Sequence, residues 1–376
     1  MRTPALFLIL AASACATAKP TGSTLLSAAA PGLRSIRGEA LSARIRFLSD
    51  DLLEGRFTGS RGHAIAERYV ASEMQALGLE PAGPGGAYLQ PVPLRAGLKD
   101  PQRTALWVSG GGPDESLVNE QDFVLSSDLR TPVVDVAAPL VFVGYGVVAP
   151  EYKYDDLAGA NLKGKIAVVF SGAPLSDRED FFPPIAHAVL ADGRAKIRRL
   201  AERGAVGMIT VFRAEDEERL PWARVATSNR LEQMSWVKDG EPGASPAGVP
   251  LRGFLHAKAF EKILARAGIE GGLPLLEQKA TANALRPFDI HATLRGRVTT
   301  RFRSLTSGNV AGILRGSDPK LRDEYVVYSA HLDHLGIGAP IDGDSLYNGA
   351  LDNASGVASV LEVARAFAAL PQRPAR

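Results

Sequence analysis

The sequence predicts an α/β protein in which part of a mixed sheet, flanked by helices, is interrupted by an inserted β-rich domain. Apolar residues recur at helical spacing near the N-terminus and again near the C-terminus. Between them, residues 94–288 show short apolar runs separated by loops that contain Gly, Pro and Asp. The 38 glycines and 25 prolines favour such a turn-rich fold over a helical bundle.

The first 18 residues have the pattern of an export signal. Met1-Arg2 precede an apolar run from Leu6 to Ala14, which is too short to span a bilayer, and small residues follow. Cleavage after Ala16-Thr17-Ala18 would give a periplasmic or secreted protein. Alternatively, Ala12-Ser13-Ala14-Cys15 resembles a bacterial lipobox, in which a lipidated Cys15 would attach the chain to a membrane as an outer-membrane or periplasmic lipoprotein. We therefore expect an exported protein, with both routes of processing open.

Charge and cysteine content exclude two classes. The formal net charge is only +2, from 43 Lys+Arg and 41 Asp+Glu, and basic residues do not cluster into a long run. Nucleic-acid binding is therefore not expected. Cys15 is the single cysteine, so no intrachain disulfide can form.

After the signal, residues 19–37 are rich in Ala, Gly, Ser and Thr and predict a tether. Residues 38–93 are predicted to form the N-terminal part of the principal domain. Apolar spacing there predicts one helix ending near Gly55 and a second from His63 to Leu77. Gly78 then suits the position just after a helix end.

Residues 94–288 are predicted to form the inserted domain, with strands such as Leu140–Val143 and Ile166–Phe170 and one or two helices. One of these helices, Ala195–Arg203, leads into the strand-like run Val206–Val211. The length and regular spacing of these runs argue for a domain rather than a linker.

Residues 289–376 return to an α/β pattern. The apolar run Tyr325–Ala330 predicts a buried strand of a parallel sheet. A polar, Gly-rich loop covers residues 331–349, and a final helix is predicted from Ala354 to Leu370. Since sites in open α/β sheets form at the carboxyl ends of strands, His331 and the residues after it are expected at such an edge.

The spacing H-x-D of His331 and Asp333 suits a metal ligand and the carboxylate that orients it, because a ligating imidazole needs its second N–H held. Asp352 lies just before the last predicted helix, where the helix dipole favours a carboxylate, and its two oxygens can bridge two cations. Paired cations polarise a carbonyl group and supply hydroxide. For H-x-D alone, however, a structural histidine satisfied by a neighbouring aspartate is the more frequent arrangement.

The longer segment from Ser329 to Gly356 favours a metal ligand over a structural histidine at His331. It contains H-x-D-H-x-G, Y-N-G and D-N-A-S-G in that order, and these blocks resemble the signature of the co-catalytic zinc aminopeptidases of peptidase family 28, clan MH. Leu53-Glu54-Gly55-Arg56 is similar to the N-terminal block of the family, and Val143-Gly144-Tyr145-Gly146 with Tyr154-Asp155-Asp156 to its protease-associated domain. The resemblance covers about residues 38–370. It implies a partial mixed-sheet zinc-exopeptidase domain interrupted by a β-rich protease-associated domain.

The resemblance also implies roles for individual residues. His331 binds one zinc ion, Asp333 orients it, and Asp352 bridges two zinc ions next to a cis peptide bond to Asn353. His334 matches the family pattern without a ligand role. The implied activity is a metallo-exopeptidase that releases N-terminal residues from peptides and proteins.

The family site requires five protein ligands and a general-base glutamate, of which only His331 and Asp352 are matched. We therefore expect the chain to stop before its metal site is complete, and its own activity stays open. The choice between zinc and another divalent ion also stays open.

Two further interpretations were weighed. Gly159–Lys165 satisfies G-x-x-x-x-G-K, but Ile166 and a strand follow where a phosphate site needs Ser or Thr and a helix, so no nucleotide site is expected. A function of another class is a non-catalytic exported protein that binds a peptide or partner through the inserted domain and keeps a residual half metal site.

Overall fold

The computed structural model describes residues 22–175, 182–243 and 248–376, without side chains for residues 22–26. The predicted signal peptide, residues 1–18, and Cys15 lie outside these ranges. The α-helices, in chain order, are α1 (Gly22–Ser35), α2 (Gly38–Leu48), α3 (Arg61–Ala76), α4 (Pro184–Leu190), α5 (Gly193–Glu202), α6 (Ala214–Arg219), α7 (Trp222–Ser228), α8 (Ala257–Arg266), α9 (Gly272–Thr281) and α10 (Ser355–Ala368). Short helical turns lie at Asp51–Arg56, Pro84–Gly86, Pro101–Arg103, Pro150–Tyr152 and Ala350–Ala354.

Most strands belong to one large mixed sheet. The strands are β1 (Glu80–Pro81), β2 (Leu89–Lys99), β3 (Ala105–Ser109), β4 (Glu115–Ser116), β5 (Phe123–Leu125), β6 (Val133–Phe142), β7 (Val148–Ala149), β8 (Tyr154–Asp155), β9 (Ile166–Phe170), β10 (Gly207–Phe212), β11 (Gln233–Lys238), β12 (Glu241–Pro242), β13 (Leu251–His256), β14 (Phe288–Val310), β15 (Gly312–Ile313), β16 (Gly336–Ile341) and β17 (Asp344–Tyr347). Within the described ranges, eleven strands form the sheet, in the order β12-β11-β2-β14-β6-β9-β10-β13-β5, with β3 on β14 and β4 on β3. The mixed α/β class predicted from the sequence is confirmed.

The middle of this sheet is parallel and covered on both faces. Strands β6, β9, β10 and β13 pair in parallel, and every residue of β9 and β10 is buried. Alternate residues of β9 enter two different cores: Val168 packs in the cluster with Phe260 of α8, and Val169 in the cluster with Leu200 of α5. Because side chains alternate across a strand, helices on both faces explain why the run Ile166–Phe170 is apolar throughout.

A second, smaller core holds the helices next to the metal-ligand candidates. Helices α2, α3 and α10 contribute Leu48, Val70 and Leu361 to one buried cluster. Arg44 on α2 joins these helices through ion pairs with Glu73, at 2.7 Å, and with Glu362. Helix α1, within the predicted tether, lies against α10. The domain boundaries given above stay predictions.

The inserted region contains more helix than the sequence pattern indicates. Instead of one or two helices, the described part of residues 94–288 contains α4 to α9. Several of these helices are only six or seven residues long, so each shows too few turns for a helical period to stand out. The predicted helix Ala195–Arg203 and the strand Val206–Val211 are both confirmed within a few residues.

The predicted strand Tyr325–Ala330 is wrong. This segment is irregular, and Val326 and Val327 are 64% and 80% exposed. Its composition is that of a central strand, yet a central strand is buried only when neighbouring strands pair with both of its edges. No strand within residues 22–175, 182–243 and 248–376 pairs with it. His331 therefore does not follow the end of a strand, which corrects the predicted position at a sheet edge.

The polar segment after His331 is more regular than predicted. It contains the hairpin of β16 and β17, whose two-residue turn is Asp342-Gly343. Both turn residues have positive φ, as a type I′ turn requires. Among the described helices, none combines the length and apolar character that crossing a membrane would need.

The exposed run of Tyr325 to Tyr328 leads to a testable expectation. It is apolar, uncharged and free of proline, which is the composition of a segment that pairs with other chains. Val327→Lys should lower both the binding of the dye ANS and the concentration-dependent association of the chain, measured by fluorescence and light scattering. Val133→Lys, at another exposed valine, is the control. An equal effect of both variants would contradict the expectation.

Candidate metal centre

Three segments that are far apart in sequence meet at the candidate centre. The turn at Arg56 and Phe57 lies beside His334, where Phe57 and His334 form a parallel bridge and the His334 N–H donates to the Arg56 carbonyl at 3.2 Å. The hairpin of β16 and β17 then returns the chain to Gly349, from which the turn to Asp352 begins. The structure thus brings all three predicted residues, His331, Asp333 and Asp352, to one place.

His331 and Asp352 are in direct contact. The Nε2 atom of His331 lies 2.9 Å from Oδ1 of Asp352, and both side chains are more than half exposed. The other ring nitrogen, Nδ1, lies 3.1 Å from the main-chain oxygen of Asp333. Since a carbonyl oxygen only accepts, this contact is a hydrogen bond when Nδ1 carries the proton, and in the neutral form of that tautomer Nε2 presents a lone pair to Asp352. A ring that carries a proton on Nε2 instead donates to Oδ1.

The main-chain oxygen of Asp333 lies closer to the His331 ring than the Asp333 carboxylate does. Its Oδ1 atom is 3.6 Å from His331 Nδ1, a longer approach than that of its main-chain oxygen. The other carboxylate oxygen, Oδ2, accepts a hydrogen bond from Thr58 Oγ1 at 2.8 Å. Thr58 therefore fixes the Asp333 side chain beside the imidazole, and the sequence analysis did not single it out.

His334 lies behind this pair. Its Nδ1 atom is 4.0 Å from Asp352 Oδ2, beyond hydrogen-bond distance. Burial lowers the pKa of His334, and the carboxylate of Asp352 opposes this shift. The position agrees with a residue that supports the loop and is not a direct donor. The Asp352–Asn353 peptide bond is cis, as the family resemblance predicted.

Arg56 was quoted only as part of a sequence block, yet its side chain is at the centre of the arrangement. It is 1% exposed, and its guanidinium donates to main-chain oxygens of Leu48, Leu332, Asn348 and Gly349. Burial lowers the pKa of Arg56, whereas the carboxylates of Asp333 and Asp352 raise it. Arginine keeps its proton in proteins, so a positive charge stands behind the two carboxylates.

The sequence analysis also did not single out His63, a buried histidine on α3. The His63 Nε2 atom lies 3.1 Å from Glu67 Oε1, and that oxygen also accepts from the Gly308 N–H at 2.7 Å. Burial lowers the pKa of His63, with Glu67 opposing. The i, i+4 spacing of the two residues on α3 was the available signal.

An apolar trough of about 1110 Å³ extends from the centre. Thr58, His331 and Asp333 are among the residues that line it. Apolar residues from α3, β14, the 325–330 segment and α10 also line it, including Met74, Val310, Val326, Leu361 and Phe367.

The donor set fits a metal ion only in part. An imidazole nitrogen and a carboxylate oxygen are both zinc ligands, but a catalytic zinc site takes three protein ligands. In the part of the chain that the structure describes, no group of three His, Cys, Asp or Glu residues is arranged to hold an ion. The described residues thus supply two donors of such a site.

Comparison with known proteins adds one finding about this segment. Residues 309–376 match the family model described as peptidase family M28. The matched range contains His331, Asp333 and Asp352, the three residues whose geometry is given above. No curated protein matches the chain significantly.

Solved structures of M28 and related aminopeptidases are similar at low identity. An aminopeptidase from Aneurinibacillus sp. strain AM-1 is 20% identical, with 90% of this chain and 61% of that chain covered and a TM-score of 0.42. A peptidase M28 precursor from Shewanella amazonensis SB2B is 19% identical, with 93% and 64% covered and a TM-score of 0.42. A zinc aminopeptidase from Bacillus subtilis is 16% identical, with 89% and 58% covered and a TM-score of 0.32. The chain thus spans less than two thirds of the length of each.

Removing the Thr58 hydroxyl tests the support of Asp333. Thr58→Val keeps the shape of the side chain but removes the donor to Oδ2, so the affinity of the chain for Zn²⁺ should fall by about tenfold. Thr58→Ser keeps the hydroxyl and should retain the wild-type affinity. Both are measured by competition with a chromophoric chelator. Equal affinity of Thr58→Val and the wild type would show that this hydrogen bond has no role at the centre.

Proposed function

We propose that this chain carries part of a metallo-aminopeptidase of family M28 that hydrolyses the N-terminal residues of peptides by a two-zinc mechanism. The observation that carries the proposal is the contact of His331 Nε2 with Asp352 Oδ1, at 2.9 Å, inside the segment that matches the family. With Nε2 unprotonated, its lone pair and the facing carboxylate oxygen form a pair of donors for a cation.

Each residue of the centre has a defined task in this proposal. His331 would hold a metal ion through Nε2, while the Asp333 main-chain oxygen would accept from Nδ1–H and so fix the ring and its tautomer. Asp352 would hold metal through its carboxylate, and the family pattern gives it the bridging role. A bound zinc ion would supply Lewis acidity towards the scissile carbonyl and an activated water.

The described residues contribute two donors, and the proposed reaction needs more. A second metal ion, its other ligands and a general base, a glutamate in the family pattern, complete the set. No described residue is assigned to these roles in this proposal, and the assay of residues 1–376 below tests whether the chain is active by itself. The bridging role of Asp352 is open to direct test, because a bridging carboxylate contributes to the binding of both ions.

The proposal also assigns a substrate and a location. The substrate is the N-terminus of a peptide or protein, and nucleic acid is not a partner, in agreement with the near-neutral charge. The chain acts outside the cytoplasm, either released by cleavage after Ala18 or attached to a membrane through a lipidated Cys15. Metabolic labelling with a fatty-acid analogue, compared between the wild type and Cys15→Ser, distinguishes these two forms.

Removing either donor tests the proposal. His331→Ala and Asp352→Ala should each weaken Zn²⁺ binding by at least about tenfold, because each removes one of two ligands. His291→Ala, at an exposed histidine on β14, is the matched control and should bind as the wild type does. Calorimetry and chelator competition give the affinities.

An activity assay completes this test. Purified residues 1–376 should show no zinc-stimulated release of p-nitroaniline from leucine p-nitroanilide. A longer chain, if the reading frame continues, should release it and lose this activity on His331→Ala. Activity that survives His331→Ala would contradict the assignment of His331 to the active site. Unchanged zinc affinity of that variant, with no activity in either chain, would instead favour the non-catalytic binding protein.

A further inference from the structure

Arg56 binds main-chain oxygens where a buried arginine commonly binds carboxylates. Its Nε–H donates to the Leu332 oxygen at 2.9 Å, Nη1–H to the Asn348 oxygen at 2.7 Å and Nη2–H to the Gly349 oxygen at 3.0 Å. Nη1 also contacts the Leu48 oxygen at the end of α2. Four carbonyl groups therefore replace the water that a buried guanidinium gives up.

Three of these four carbonyl groups belong to the two segments that carry the candidate metal donors. Leu332 stands between His331 and Asp333. Gly349 begins the turn to Asp352, and its oxygen also accepts from the Ala354 N–H at 3.1 Å. One rigid, planar group thus joins both donor segments, and the contact between His331 and Asp352 lies across that joint.

The backbone around Arg56 is held in an unusual conformation. Glu54, Gly55 and Arg56 have φ values of 48°, 65° and 51°, in the left-handed region. A Cβ atom at Gly55 would lie 2.5 Å from the Tyr347 oxygen and 2.7 Å from the Gly336 oxygen, so only glycine lets the turn approach the hairpin. Non-glycine residues adopt this region at a cost and persist there only when surrounding contacts require it.

We propose that Arg56 is a positioning residue of the metal centre, whose guanidinium sets the distance between the His331 and Asp352 donors. The inference rests on the proposed function and names the group that makes two distant segments act as one site. The four N–H contacts require the planar fork of arginine. Lysine offers three donors from one nitrogen and cannot reach carbonyl groups on separate segments in the same geometry.

Lysine and methionine variants separate positioning from charge and from general stability. Arg56→Lys keeps the charge, and Arg56→Met keeps most of the apolar stem. Arg44→Lys and Arg44→Met are the matched controls, because Arg44 is also a buried arginine but binds Glu73 and Glu362 between helices. Each is made in residues 1–376, with global stability measured by urea denaturation.

Two readouts report on the site. The first is hydrogen exchange of peptides covering residues 331–334 and 348–352, and the second is the affinity for Zn²⁺ alone. Both Arg56 variants should increase exchange in these two segments by about tenfold or more, since hydrogen bonds to a charged group are lost, and should weaken zinc binding by about tenfold. The Arg44 variants should lower global stability and leave both readouts unchanged.

Three outcomes would overturn the proposal. Wild-type exchange and zinc affinity in Arg56→Lys would mean that a point charge is sufficient. Equal changes in the Arg44 and Arg56 variants at the same loss of global stability would mean a general structural role. Failure of both Arg56 variants to fold, while both Arg44 variants fold, would also contradict a local role. If the wild type binds no zinc, the proposed function fails, and the exchange data still decide the role of Arg56.

Discussion

A guanidinium that is removed from water must place its N–H groups on acceptors, and this requirement organises the candidate metal centre. Arg56 meets it with main-chain oxygens from the end of α2, from the loop of His331 and from the turn to Asp352. An unmet donor at any of these positions would cost on the order of 1–3 kcal/mol. The demand for acceptors thus brings together segments that are almost 300 residues apart.

The other contacts at the centre depend on this arrangement. Once the loop and the turn are adjacent, Thr58 reaches Asp333 and His331 reaches Asp352. The positive charge of Arg56 also offsets the mutual repulsion of the Asp333 and Asp352 carboxylates, which would otherwise oppose their approach. The large sheet contacts this region through the end of β14, where the Gly308 N–H donates to Glu67 on α3.

The two cores of the chain differ in how they are built. In the sheet core, parallel strands are covered by helices on both faces, and apolar runs such as Ile166–Phe170 are fully buried. In the helical core, α2, α3 and α10 pack together, yet the apolar run from Tyr325 stays exposed along the trough. The same kind of sequence therefore meets opposite environments, because burial of a strand depends on its neighbours.

Local sequence patterns determined much of this protein. The helices Arg61–Ala76 and Ser355–Ala368 follow from periodicity, since side-chain spacing along a helix shows which face can be buried. The strand Ile166–Phe170 follows from a short, continuous apolar run. The blocks within residues 329–356, through their resemblance to a known family, named His331, Asp333 and Asp352 as candidates for one site. These predictions needed only residues close together in the chain.

Only the tertiary structure decided the rest. The exposure of Tyr325–Ala330 depends on the absence of pairing strands among the described residues, which no property of those six residues reveals. The roles of Thr58 and Arg56 depend on contacts across more than 270 positions, as the separations of 275 and 276 residues to Asp333 and Leu332 indicate. The sequence by itself named the candidate metal donors, and the packing of distant backbone around the buried Arg56 guanidinium decided how they face each other.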